Sequence, residues 1–167
     1  AFFREHAIAA LTSGITNFIP DNCVDVKKLW KEFAIFNVFN YCRLLERQER
    51  ILCSFASQNI MVVVIKGTSA AQYYPQPQLR AMGDIDLLVR PEDFDRAVQC
   101  LMDLKCVEIT SAVDAEMGRH RTFRYQDVTV ELHRFFSIFV EEEYADALDG
   151  LLIRAISKGK NVLPDAE

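Results

Sequence analysis

The sequence predicts an α/β (α+β) domain in which helices flank a mixed β-sheet and an N-terminal helical segment precedes the sheet. Strand-like and helix-like stretches alternate after residue 60, starting with the β-branched run IMVVVIKG. Before that run, residues 26–58 contain neither Gly nor Pro, which is typical of a helix. With 167 residues, half of them hydrophobic, the chain is long enough to bury the core of one domain.

Two helical regions are expected in the N-terminal segment. Residues 4–19 predict a short helix that ends at Gly14 or Pro20, and Asp25 is the expected N-cap of the next helix. Residues 26–58 are apolar nearly all round in their first half and amphipathic in their second half. We therefore expect one long helix or two, with the first half deeply packed. The aromatic stretch LWKEFAIFNVFNY within it is interpreted as core, or as an interface for a neighbouring helix.

The middle of the chain alternates between strand and helix. IMVVVIKG lacks the alternation of a half-exposed strand, so we expect a strand covered on both faces. Gly67 then allows a tight turn into the short helix TSAAQYY, and PQPQ breaks that helix before a strand at 84–89. Pro91 begins a further helix. Its inward-facing side chains are expected to be Phe94, Ala97, Val98, Leu101 and Met102.

The last third of the chain predicts more strands and a final helix. The strands are CVEIT at 106–110, RTFRY at 121–125 and VTVELHRF at 128–135, the last two joined in a hairpin at QD. A helix over 140–157 and the beginning of another in NVLPDAE follow, so the sequence looks cut from a longer protein. The expected organisation is a helical segment over 1–59, an α/β core over 60–158 and the start of a truncated C-terminal region over 159–167.

Composition argues against a nucleic-acid-binding, a disulfide-bonded or a membrane-spanning protein. A net charge of −5 argues against a domain that holds nucleic acid in bulk by its surface field. The five cysteines are odd in number and form no C-x-x-C pair, so we interpret them as reduced, buried thiols of an intracellular protein. No apolar run is long enough for a membrane span or a signal peptide, and the expected location is the cytoplasm.

Two aspartates in the strand DIDLLV indicate a specific chemistry. The period of two sends Ile85, Leu87 and Val89 to one face and Asp84, Asp86 and Leu88 to the other. The Cα atoms of the two aspartates are then roughly 7 Å apart, from a rise of ~3.3 Å per residue. One cation is within reach of both carboxylates. The alternative is a solvated edge strand whose charges prevent aggregation.

A third acid joins them if the strand at 128–135 lies beside the strand at 84–89. The period of two places Thr129, Glu131 and His133 on one face of that strand. Three carboxylates at contact distance repel one another unless a cation neutralises them, and oxygen ligands suit Mg²⁺ or Mn²⁺. Asp84, Asp86 and Glu131 are therefore the predicted metal ligands and catalytic residues. The alternative for Glu131 is an exposed pair with Arg121 or Arg124.

Together these residues resemble the DNA polymerase β-like nucleotidyltransferase superfamily. The resemblance lies in Asp84-Ile85-Asp86, the later strand acid Glu131 and the strand–Gly67–Thr68–Ser69–helix turn. The segment IKGTSAAQYYPQPQLRAMGDIDLLVRPEDFDRA, followed by VTVELH, resembles the uncharacterised bacterial nucleotidyltransferase family more closely. That family shares a Lys-Gly turn, a Tyr-Pro segment, an Arg before Gly-Asp-x-Asp-Leu-Leu-Val and a Glu-Leu-His strand. The match spans about residues 62–136.

The resemblance implies transfer of a nucleoside monophosphate from an NTP to a hydroxyl, with release of pyrophosphate. Asp84 and Asp86 are similar to the pair that binds both metals, and Glu131 to the third carboxylate, which helps to activate the attacking hydroxyl. The nucleotide is then the substrate and Mg²⁺ or Mn²⁺ the cofactor. Residues expected to contact the nucleotide or support its site are Lys66, Gly67, Thr68, Ser69, Arg80 and Gly83. The acceptor, whether small molecule, sugar or protein, is not predicted, nor is the oligomeric state.

Several alternatives remain open at this level. Thr68 follows Gly67 where the superfamily usually has Gly or Ser, so a nucleotide-binding or partner-binding module with weak or no catalysis is the second hypothesis. Phosphate contact and acid pairing are both open for Lys66 and Arg80. His133 is interpreted as structural, or as a group beside Glu131 that supports the ligands. Tyr73 and Tyr74 have packing or base contact as their alternatives.

Overall fold

The computed structural model describes residues 13–113, 118, 120–135 and 150. Its helices are α1 (Val24–Ser57), α2 (Gly67–Ala71) and α3 (Phe94–Asp103). Its strands are β1 (Val62–Val64), β2 (Asp84–Val89), β3 (Val107–Glu108), β4 (His120–Tyr125) and β5 (Val128–His133). Short 3₁₀ turns cover Ser13–Phe18, Pro77–Leu79 and Pro91–Asp93.

The five strands form one mixed sheet in the order β1-β2-β5-β4-β3. β2 and β5 run parallel, whereas the other neighbours are antiparallel. The parallel pair is joined by a long connection that contains α3, as a parallel pair requires. β4 and β5 form the predicted hairpin at Gln126 and Asp127, where Gln126 adopts a φ of 53°. The predicted α+β class and mixed sheet are confirmed.

One face of the sheet packs against α1 and α3 to form the main core. The alternation predicted for β2 and β5 is confirmed, because each strand turns its apolar set to this face. The fully enclosed side chains here include Ile85, Leu87, Val130, Leu132, Phe123, Leu44, Ile51, Phe55 and Leu101. A small cluster of Val63, Ile65 and Leu88 lies on the other face. β1 is therefore covered on both faces, as predicted.

Helix α1 is one continuous helix, and two expectations about it are wrong. Its N-cap is Cys23, because the helix already begins at Val24, and Asp25 lies in the first turn instead. The first half is not deeply packed: Ile35 is 69% exposed and Phe39 66%. The physical reason is that the residues through which α1 enters the core, Leu44, Ile51 and Phe55, all lie in its second half.

The first half of α1 contacts the chain leading into β2 through polar groups. Asn40 is buried, and its Nδ2 donates to the carbonyl of Met82 at 2.5 Å. One turn earlier, Asn37 Nδ2 donates to the carbonyl of Leu79 at 3.4 Å. These two amides hold the loop that precedes Asp84, so α1 fixes the path along which β2 begins.

Other expectations need smaller corrections. Met102 is 41% exposed rather than inward-facing, because it lies about 100° around α3 from buried Leu101. Cys100 and Cys106 are buried free thiols, but Cys42 and Cys53 are exposed because they lie on the solvent side of α1. β3 has only two residues, and α2 ends at Ala71.

Some predictions lie outside the described residues. These are the part of the first helix before Ser13, the helix over 140–157 apart from Gly150, and the C-terminal region over 159–167. Within the described part of the chain, no helix combines the length and the apolar character that crossing a bilayer requires.

Candidate functional site

The register between β2 and β5 brings the acids together on the face opposite α1 and α3. Asp86 lies directly beside Glu131, and Asp84 lies beside Thr129. Leu88 lies beside His133 on the same face. The predicted neighbour relation between the two strands is therefore observed, and it sets the two acidic side chains at positions 86 and 131 in contact range.

The most compact cluster consists of Asp86, Glu131 and His133, whose ligand atoms lie within 4.8 Å of one another. His133 Nε2 lies 3.3 Å from Asp86 Oδ1 and 3.4 Å from Glu131 Oε2. Asp86 is only 2% exposed and His133 6%. Of the two interpretations of His133, contact with the acids is the one observed. The alternation of side chains along β5 places His133 on the same face as Glu131. The contact of His133 with Asp86 depends in addition on the pairing of β5 with β2.

Lys66, at the end of β1, pairs with the same buried carboxylate. Its Nζ donates to Asp86 Oδ1 at 2.8 Å, so acid pairing is the observed state. Burial lowers the pKa of Lys66, but the bond to Asp86 and the charges of Glu131 and Asp84 outweigh it and the pKa is raised. The Lys66 side chain is 60% exposed, so its amine reaches the cluster from solvent.

The three carboxylates have different electrostatic environments. Burial, followed by the charges of Asp86 and Glu131, raises the pKa of Asp84. Burial also tends to raise the pKa of Asp86, but the hydrogen bonds from His133 and Lys66 have the larger combined effect, so its pKa is lowered. The hydrogen bond from His133 lowers the pKa of Glu131. Asp84 therefore remains under-compensated, whereas Asp86 and Glu131 have cationic or polar partners.

The donor set fits a hard divalent cation. Asp86 and Glu131 supply carboxylate oxygens within the compact cluster, and these are the ligands that Mg²⁺ and Mn²⁺ prefer. Asp84 lies on the same face of β2 but is not part of the compact cluster. The raised pKa of Asp84 indicates a local excess of negative charge that a cation would relieve. His133 adds an imidazole nitrogen within the same compact cluster, a ligand type that suits transition metals better than Mg²⁺.

The glycine turn lies against the start of β2. Gly67 has a φ of +43°, and a Cβ there would lie 3.3 Å from the carbonyl oxygen of Asp84. Arg80 Nη1 donates to the carbonyl of Gly67 at 3.2 Å, which connects the turn to the loop before β2. The arginine therefore contacts neither of the acids of β2 in this state. Its guanidinium also lies 5.9 Å from the ring centre of Tyr74.

Two hydroxyls of the turn have different surroundings. Thr68 is buried, and its hydroxyl donates to Gln48 Oε1 of α1, so this side chain fastens the turn to the helix. Ser69 is 2% exposed, and its Oγ has no hydrogen-bond partner among the described residues. Buried polar groups are normally hydrogen-bonded, so this hydroxyl stands out as a group that still needs a partner.

Replacing Gly67 by Ala is expected to destabilise the protein by about 1–2 kcal/mol, because an L-residue is strained at positive φ and its Cβ crowds the Asp84 carbonyl. The matched control is Gly83→Ala, since a Cβ at Gly83 meets no atom within 4 Å. Urea unfolding of both variants measures the difference. Equal destabilisation by the two substitutions would contradict the packing described for the turn.

Several other predicted residues are more distant from this cluster. Gly83 is exposed in the loop before β2. Tyr73 is 65% exposed, so packing does not account for it, whereas Tyr74 is 39% exposed and lies beside the Arg80 guanidinium. Arg121 pairs with Glu108 rather than with Glu131, and its Nε donates to Glu108 Oε1 at 2.7 Å. The proposed exposed pair between Arg121 and Glu131 is therefore not the observed arrangement.

Comparison with known proteins gives one match. The model of a family described as uncharacterised nucleotidyltransferase matches residues 1–163. Neither the curated proteins nor the solved structures that were compared with the chain gave a match. The family match covers nearly the whole chain, including every strand of the sheet. The chain belongs to this uncharacterised nucleotidyltransferase family.

Proposed function

We propose that the protein is a Mg²⁺-dependent or Mn²⁺-dependent nucleotidyltransferase that transfers a nucleoside monophosphate from an NTP to a hydroxyl acceptor. The observation that carries this proposal is the parallel register of β2 and β5, which sets Asp86 beside Glu131 with Asp84 on the same face. Membership of the family supports the reaction class. The glycine turn at the edge of the acidic face supports a nucleotide as the donor.

The proposed roles follow from position and charge. Asp84, Asp86 and Glu131 hold the cation, which would stabilise the negative charge that develops on the phosphates. Glu131, half-buried at its place on β5, also accepts the proton of the acceptor hydroxyl. The bond between the acceptor oxygen and the α-phosphorus forms while the bond from that phosphorus to the bridging oxygen breaks. Pyrophosphate carries away the bonding electrons.

Lys66 and His133 are proposed to regulate the charge of the cluster. In the described state both contact Asp86, and they neutralise it without a metal. Because the Lys66 side chain is 60% exposed, it is able to leave Asp86 and bind a phosphate oxygen when a cation and a nucleotide arrive. His133 is almost fully buried and stays between the two acids, where it orients them.

The turn is proposed to hold the triphosphate. Gly67 brings the backbone close to β2, Ser69 offers a buried hydroxyl, and Arg80 keeps the turn in place through the Gly67 carbonyl. The Thr68 side chain points to Gln48, so only its backbone amide is available to phosphate. Gly83 leaves the approach to Asp84 open, because no side chain stands there.

Calorimetric titration tests the proposal. ATP, GTP, CTP and UTP are titrated with Mg²⁺ or Mn²⁺ into the wild type and into Asp84→Asn/Asp86→Asn. We expect metal-dependent binding of at least one nucleotide by the wild type, and its loss in the double variant. The matched control is Asp95→Asn/Asp103→Asn, which removes the same charge from α3 on the other face of the sheet and is expected to bind normally.

The second hypothesis is a binding module with weak or no catalysis. It is favoured by the pairing of Asp86 with both Lys66 and His133, because side chains of the protein then balance the charge of the carboxylate. Nucleotide binding that persists in EDTA, with no pyrophosphate released in the presence of any acceptor class, would support this module. Failure of every nucleotide to bind a folded wild type with metal present would contradict the transferase and leave a partner-binding module as the remaining hypothesis.

A further inference from the structure

Residues 28–49 of α1 present an exposed stripe along one side of the helix. We define the α1 stripe as Lys28, Lys31, Ile35, Val38, Phe39, Cys42, Glu46 and Glu49, all of them exposed. Their spacing of three, four and seven residues places them on one helical face. Ile35 is 69% exposed and Phe39 66%, which is unusual for large apolar side chains on a helix of a folded domain.

The charges of the α1 stripe are segregated along the helix. Both lysines lie at its N-terminal end, both glutamates lie at its C-terminal end, and the apolar residues occupy the middle. The charges of two such faces are complementary when the two helices pack antiparallel. A two-fold axis through the middle of the stripe brings basic ends to acidic ends and apolar centre to apolar centre.

We propose that the α1 stripe binds a second copy of this chain in an antiparallel helix pair. The facing positions are Lys28 with Glu49, Lys31 with Glu46, Ile35 with Cys42, and Val38 with Phe39. Each of these pairs occurs twice, because the interface is isologous. The contact extends over 28–49, a length of about 32 Å at ~1.5 Å per residue. The charge pattern of the α1 stripe favours a second copy as the partner, because an unrelated apolar surface would not supply charges opposite to its lysines and glutamates.

The register follows from the same residues. A shift of one heptad in one direction places Lys28 opposite Cys42 and Lys31 opposite Phe39. The same shift in the other direction places Ile35 opposite Glu49 and Val38 opposite Glu46. Each shift buries a charge against an apolar side chain, which is unfavourable. The proposed register pairs each of the four charges of the α1 stripe with its opposite, which neither heptad shift does.

Existing ion pairs within the chain do not prevent this arrangement. Glu46 binds Arg47 at 2.6 Å and Arg50 at 2.9 Å, and Lys28 lies 4.0 Å from Glu32. These pairs are on the surface, where such contacts contribute little, so contacts with a partner replace them at little cost. Lys31 adds a second positive charge beside Lys28 at one end of the stripe, and Glu49 adds a second negative charge beside Glu46 at the other end.

Charge reversal tests the interface in the full chain. Sedimentation equilibrium between about 1 and about 100 µM is expected to show a wild-type dimer. Lys28→Glu/Lys31→Glu and Glu46→Lys/Glu49→Lys should each weaken dimerisation at least tenfold, because four attractive pairs become repulsive. An equimolar mixture of the two variants restores every pair, so we expect a heterodimer. A monomeric wild type at the highest concentration, or variants that dimerise like the wild type, would overturn the proposal.

Cysteine cross-linking tests the register independently. In a background with Cys23→Ser and Cys53→Ser, Ile35→Cys is expected to form a disulfide-linked dimer with native Cys42, and Cys42→Ser should abolish it. A dimer that survives Cys42→Ser indicates self-linkage at position 35, and linkage without Ile35→Cys indicates self-linkage at Cys42. Either of these results would overturn the proposed register. Circular dichroism verifies that each variant remains folded.

Discussion

Asp86→Asn is expected to lower nucleotidyl transfer by about 10³-fold or more, since a bound cation contributes several kcal/mol to the transition state and about 1.4 kcal/mol is a factor of ten. Asp86 is the carboxylate on which the cluster converges, because Lys66 and His133 both contact it and Glu131 lies beside it. The amide keeps the shape of the side chain but loses the charge. The measurement is metal-dependent pyrophosphate release, with Mn²⁺ binding followed directly by electron paramagnetic resonance.

Asp84→Asn separates the metal site from the fold. Transfer should fall as it does in Asp86→Asn, but metal-free stability should change in the opposite direction. The pKa of Asp84 is raised by burial and by its acidic neighbours, so its charge is unfavourable in the folded state at neutral pH and neutralisation stabilises the protein. The pKa of Asp86 is lowered, so its charge is favourable, and losing it should destabilise by about 1–3 kcal/mol.

Thermal unfolding in EDTA distinguishes these cases. A rise in Tm for Asp84→Asn together with a fall for Asp86→Asn is the expected result. Shifts of the same sign in both variants would contradict the charge distribution described for the cluster. Full transfer activity in either variant would contradict the proposed metal ligands, whatever the stability data show.

The local part of this site was predictable from sequence. DIDLLV alternates cleanly, so the bounds of β2 and the common face of Asp84 and Asp86 follow from the strand period. The same period placed Glu131 and His133 together on β5. The turn at Gly67 followed from glycine after a β-branched run. Each of these inferences uses only neighbours in the chain.

What depends on tertiary structure was not predictable in the same way. The parallel pairing of β2 with β5 is a contact between distant segments, and it alone determines that His133 reaches Asp86 as well as Glu131. The pairing of Lys66 with Asp86 likewise needs β1 beside β2. The prediction of burial from hydrophobicity was least accurate in the first half of α1, where large apolar side chains are exposed. An apolar residue type does not determine whether the residue packs against its own chain.

Phe55→Ala should destabilise the protein by about 3–5 kcal/mol, because deleting a buried aromatic ring removes apolar contact and leaves a cavity. Phe55 is fully buried where the second half of α1 packs on the sheet. Phe36→Ala on the same helix is the matched control, with an expected change within about 0.5 kcal/mol, since Phe36 is 61% exposed. Denaturant unfolding at low protein concentration, where the chain is monomeric, measures both. A loss at Phe36 equal to that at Phe55 would mean that Phe36 is packed within the monomer, which would contradict the exposure described for the first half of α1.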